Sequence, residues 1–118
     1  MRLDNGTTLI SGDGHSYTRE LSSDGKTVWE LTQEDVPFKL YNNQTANRLA
    51  NGNTIICNWI GGNKKTEEWP GSVQVFEVTT DKKVVWKLSA WDNPDLGTST
   101  AIQLLDQKGL PDSNDTQR

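Results

Sequence analysis

Residues 48–56, Arg48-Leu49-Ala50-Asn51-Gly52-Asn53-Thr54-Ile55-Ile56, repeat residues 2–10, Arg2-Leu3-Asp4-Asn5-Gly6-Thr7-Thr8-Leu9-Ile10. Each copy leads on to a Lys-x-Val-Trp-x-Leu segment, Lys26–Leu31 in the first and Lys83–Leu88 in the second. Two such units in one chain indicate a repeat architecture, in which a core forms between stacked neighbours rather than within one unit. The offset between copies is 46 residues at the Arg-Leu pair and 57 at Trp29 and Trp86, so the second unit holds 11 extra residues. They fall between Asn58 and Ser72, where Gly61, Gly62, Pro70 and Gly71 predict a long loop over 59–71.

Inside each unit the strand signals are short, β-branched and bounded by turn residues. Thr7–Ser11 corresponds to Asn53–Cys57, Thr18–Leu21 to Val75–Val78, and Lys26–Leu31 to Lys83–Leu88. Ser23-Asp24-Gly25 and Thr80-Asp81-Lys82 link the last two strands, and Asp-Gly suits a tight hairpin that needs positive φ. Period-2 alternation places Val84, Trp86 and Leu88 on one face, in register with Thr27, Trp29 and Leu31. Thr45–Leu49 predicts a further strand ahead of the second Asn-Gly turn, and Thr100–Leu104 predicts another like it. With the four strands of a unit lettered A to D, the chain runs B, C, D, A, B, C, D, A, and residues 1–4 are a stub of a missing first A. The expected organisation is all-β, about two four-stranded antiparallel propeller blades. Strands B to D and a loop occupy 1–41, the second blade 42–97, a closing strand 98–106, and a disordered tail 107–118.

At 118 residues the chain has the length of one domain. Apolar content is 32% and mean hydropathy −0.73, so the core must lean on the five tryptophans. Twelve basic and sixteen acidic residues, dispersed along the chain, exclude the clustered basic patch of a nucleic-acid surface. No run approaches a membrane span, and no signal peptide follows Met1. Cys57 is the single cysteine, which excludes an internal disulfide and reads as a small buried hydrophobe.

The motifs Arg-Leu-x-Asn-Gly-x-Thr-Ile/Leu-Ile and Asp-Gly-Lys-x-Val-Trp-Glu resemble the repeats of quinoprotein-like and aryl-sulfotransferase-like β-propellers of bacterial exported proteins. The resemblance runs to about Asp106. It implies that Trp29 and Trp86 dock between adjacent blades, and that the setting is periplasmic or extracellular. Propellers have roughly four to eight blades. Two blades therefore imply either part of a longer propeller or a ring completed by a homo-oligomer, a cyclic trimer first, with a dimer or a tetramer behind it.

Trp59, Trp69 and Trp91 have no counterpart in the first unit, so packing common to both units cannot account for them. Aromatic rings in propeller loops can stack on sugars or planar ligands, and these three are the leading ligand-binding candidates, with Arg48 and Asn47 of the presumed innermost strand. The opposing reading folds the loop over its own blade, and Arg2 and Arg48 could equally form repeated structural ion pairs. His15, the only histidine, is the one weak candidate for acid–base chemistry. Asp35 and Asp92 precede Pro37 and Pro94 at matching positions and are weak metal candidates without the spacing of a calcium loop. No nucleophile–base pair, phosphate loop or complete quinone-binding set is present, and no cofactor is expected.

The functional expectation is a non-enzymatic module that binds a small molecule, glycan or protein through loops around a channel. An aryl-transfer or quinone-type oxidoreductase using His15, Asp35 and Asp92 is the second reading, and a structural self-assembling piece without ligand the third.

Overall fold

The computed structural model describes residues 1–12 and 14–105. The tail expected over 107–118, with Asp106, lies outside the described residues. Seven strands form two antiparallel sheets: β1 (Thr8–Gly12), β2 (Tyr17–Leu21) and β3 (Thr27–Leu31), then β4 (Asn43–Arg48), β5 (Thr54–Asn58), β6 (Val75–Val78) and β7 (Val84–Leu88). Each sheet is a meander in chain order.

The repeat is visible bond by bond. In the Asn-Gly turns, Gly6 N–H donates to Leu3 O at 3.0 Å and Gly52 N–H to Leu49 O at 3.0 Å. Asn5 Oδ1 accepts from Thr7 N–H, as Asn51 Oδ1 does from Asn53 N–H. Gly6 and Gly52 sit at φ of 85° and 90°, a conformation that an L side chain resists, which is why this position is glycine in both copies. Both sheets also shift register at the same place, Glu20/Leu21 and Glu77/Val78, so the Trp of the last strand lies opposite the Glu in each: Trp29 opposite Glu20, and Trp86 opposite Glu77.

The first sheet has three full strands. The stub expected from residues 1–4 lies on the outer side of β1, where Leu9 N–H donates to Met1 O and the Met1 amine to Leu9 O, each at 2.7 Å. Beyond Leu9, no strand among the described residues pairs with that edge in the sheet.

The main core lies between the sheets. Leu9 and Leu31 of the first meet Ala46, Ile56, Phe76 and Val78 of the second, with Val36 and Leu40 of the connector between them. Phe38 completes it, its ring edge-on to Phe76 at 5.0 Å. A second cluster, Leu49, Ile55, Cys57 and Val75, occupies the opposite face of the second sheet and is covered by Leu88, Ile102 and Leu104. Cys57 is fully buried, and burial pushes its thiol above the ordinary value.

The strand expected over Thr100–Leu104 does not form. A strand needs an edge to pair with, and this stretch instead crosses the face of the second sheet, where Ile102 and Leu104 bury against the second cluster. The Thr45 hydroxyl holds it by donating to Thr100 O at 2.7 Å. The long loop expected over 59–71 contains a short 3-10 helix at Thr66–Gly71, and a second one spans Gln33–Asp35.

Buried amides fix the irregular segments. Asn58 takes Tyr41 N–H at 2.7 Å and donates to Lys39 O and Val73 O, tying the connector between the sheets to the end of β5 and to the segment before β6. Gln74 likewise takes Ala90 N–H at 2.7 Å. Each supplies hydrogen bonds that non-repetitive backbone cannot make with itself.

Candidate functional site

β1 and β4, an edge strand of each sheet, run beside each other. Between them opens a groove of about 480 Å³, lined by Met1, Leu9, Ile10, Ser11, Gln44, Thr45, Ala46, Asn47 and Ala101. Its size falls within the roughly 300–1,000 Å³ of small-molecule sites. The sequence of β4, Asn43-Gln44-Thr45-Ala46-Asn47-Arg48, explains its character. Only Ala46 is apolar, and it packs into the inter-sheet core, so β4 brings the amides of Gln44 and Asn47 and the Thr45 hydroxyl to an opening whose β1 side is apolar at Leu9 and Ile10.

Asn47 lines this groove, whereas its neighbour Arg48 turns towards the first sheet. Arg48 Nη2 donates to Glu20 Oε2 at 2.9 Å, its Nε donates to the Thr54 hydroxyl at 2.9 Å, and its guanidinium lies 5.4 Å over the Trp29 ring. The two side chains are 13% and 9% exposed. Burial pushes the Glu20 carboxyl up, but the Thr7 hydroxyl, the Arg48 charge and the Asn5 amide more than offset it, and the group sits below the ordinary carboxylate value. Arg48 thus joins the sheets, the ion-pair alternative that its sequence left open.

The tryptophans without a counterpart in the first unit lie in the inserted loop, Trp59 and Trp69, and beyond β7, Trp91. Trp69 and Trp91 meet at 6.1 Å between centroids. Their indole N–H groups are spent internally, Trp69 on Asn63 O at 3.0 Å and Trp91 on Ser72 O at 2.9 Å. Trp59 lies against Gly61 and Gly62, and a Cβ on Gly61 would fall 2.6 Å from its Nε1. All three are half-buried, and the loop folds back on its own sheet.

Asp35 and Asp92 are not part of any group of three or more potential metal ligands among the described residues. Asp35 caps the first 3-10 helix through Thr32 N–H at 2.8 Å and pairs with Lys82 of the other sheet at 3.2 Å, while Asp92 is exposed. His15 is exposed in the β1–β2 connection, and among the described residues no side chain hydrogen-bonds to it. Sequence reasoning missed Glu20 and Lys82 as inter-sheet partners. The recurrence of Glu20 as Glu77, opposite a tryptophan each time, was the available signal for the first.

No protein-family model matches this chain, and comparison with curated proteins finds no match. Among solved structures the chain is similar to a protein of unknown function from Bacteroides caccae, at 29% identity over 77% of this chain and a TM-score of 0.65. The chain spans about a third, 34%, of that structure's length.

Proposed function

We propose that the two sheets are neighbouring blades of a β-propeller and that the chain is a binding module for a neutral, hydroxyl-rich small molecule or glycan, held in the groove beside β1 and β4. One observation carries this reading: Ser11, Gln44, Thr45 and Asn47 set amides and hydroxyls in the groove beside the apolar Met1, Leu9, Ile10, Ala46 and Ala101, and no lining side chain is titratable. Amides and hydroxyls both donate and accept, which suits sugar hydroxyls, and the Met1 amine at the groove is spent on Leu9 O. The blade reading draws support from the bond-for-bond repeat, from the core between sheets, and from a structural neighbour about three times as long. The resemblance of the repeats supports a periplasmic or extracellular setting.

His15 and Asp92, exposed on separate connections, lend the enzymatic reading no comparable arrangement. The test is calorimetric titration of the full chain with neutral di- and trisaccharides such as cellobiose and N-acetylchitobiose. Binding that Asn47→Ala and Gln44→Ala each weaken supports the groove. Binding unaffected by both but lost on Trp69→Ala transfers the site to the tryptophan loop and overturns the proposal, as does absence of binding across the series.

A further inference from the structure

Two of the polar pairs that join the sheets have counterparts in the repeat. Glu20 of the first sheet takes Arg48 of the second at 2.9 Å, and the Trp29 indole donates to Thr80 O, in the β6–β7 turn, at 2.9 Å. The repeat reproduces both halves of this contact elsewhere on the two sheets, where among the described residues neither half meets its complement.

Glu77 and Trp86 hold the positions of Glu20 and Trp29 on the second sheet, opposite each other across β6 and β7. Glu77 accepts from the Asn53 amide at 2.7 Å, as Glu20 does from Asn5 at 3.5 Å, but among the described residues no cation pairs with it. Glu77 is only 8% exposed, and a carboxylate so placed is costly without an opposite charge. Trp86 is 41% exposed, and among the described residues its indole N–H has no acceptor.

The complementary halves lie on the first sheet. Arg2 holds the position of Arg48, is exposed, and bonds to Gly6 O alone at 3.2 Å. The Ser22–Lys26 turn repeats the Thr79–Lys83 turn: Ser22 N–H to Lys26 O at 2.8 Å against Thr79 N–H to Lys83 O at 2.9 Å, and Gly25 N–H to Ser22 O against Lys82 N–H to Thr79 O, both 2.9 Å. Ser23 O therefore stands where Thr80 O stands in the observed contact.

We propose that the Glu77–Trp86 face of one copy docks the first sheet of a second copy, with Arg2 pairing to Glu77 and the Trp86 indole donating to Ser23 O. The contact is head to tail, so copies add in one direction and a ring or a filament results. It is weaker than its internal template, because Lys82, which reaches Asp35 at 3.2 Å, is replaced by Gly25 at the equivalent position. The inference uses the repeat and not the sugar groove: an oligomer that binds no saccharide, or a monomer that does, separates the two proposals.

Sedimentation of the full chain from micromolar to submillimolar concentration tests it. The expected result is species heavier than the 13.2 kDa monomer, with association weakened roughly tenfold or more by Arg2→Glu and by Trp86→Ala, since buried Arg and Trp anchors dominate such contacts. Both residues are exposed in the single copy, so folding is retained, and circular dichroism verifies that. Mixing the variants is decisive. Arg2→Glu keeps a sound Trp86 face and Trp86→Ala a sound Arg2 face, so together they form a dimer and nothing larger. A wild-type monomer throughout, an oligomer indifferent to both substitutions, or a mixture that stays monomeric overturns the proposal.

Discussion

Replacing Arg48 with Met keeps the aliphatic stem that packs between the sheets and removes the charge that Glu20 depends on. Removing one partner of a buried ion pair costs about 3–5 kcal/mol, because the other charge stays behind uncompensated. Glu20 retains the Thr7 hydroxyl at 2.6 Å and the Asn5 amide, which holds this contribution to the lower end, about 3 kcal/mol. Loss of the cation above Trp29 adds about 0.5–1 kcal/mol. The expected total, about 3–4 kcal/mol, is a large share of the stability of a domain this size. Urea unfolding followed by circular dichroism and tryptophan fluorescence measures it, and an unchanged denaturant slope assigns the loss to the folded state. Adding Glu20→Gln should recover about half of the loss, since no uncompensated charge then remains. A single-variant loss below about 1 kcal/mol, or a double variant no more stable than the single one, refutes the reasoning.

Glu20 also sets an acid limit. Its folded-state pKa is lowered from 4.5, so the unfolded chain binds more protons as the medium acidifies; the stabilisation is complete above the unfolded value and is lost as pH falls through the folded one. Unfolding free energies taken between roughly pH 6 and pH 3 should fall, and Glu20→Gln should flatten that fall; an equally steep profile in the variant contradicts the assignment. Gly12→Ala puts a Cβ 2.1 Å from the Tyr17 ring, over which the Arg19 guanidinium lies at 4.1 Å from the ring centroid. A loss of about 1–3 kcal/mol in thermal or urea melts is expected, and Tyr17→Ser should relieve it.

Much of the fold was legible because repeated turns and period-2 strands are local signals. The strands over 7–11, 18–21, 26–31 and their partners were placed within a residue or two, and the one placed in error, Thr100–Leu104, shows why. Its alternation resembles β4, but a strand is a relation to a neighbour, and sequence records only one side of that relation. Trp29 was expected to sit between sheets and does so, whereas Trp86, with the same local sequence, is exposed. Their difference lies entirely in what stands beside them. Asn47 was legible as a polar strand residue, and it lines the groove beside β4. The roles of Asn58 and Gln74 were not, because an amide that closes irregular backbone follows no period.

The largest apolar cluster draws on both sheets and on the connector through Val36, Phe38 and Leu40. Neither half of the chain therefore owns enough interior to persist alone, and loss of order in one removes the roof of the other. A chain nicked between Pro37 and Lys39 should stay together as a two-piece complex while folded and melt in a single step, its halves recombining only as partners.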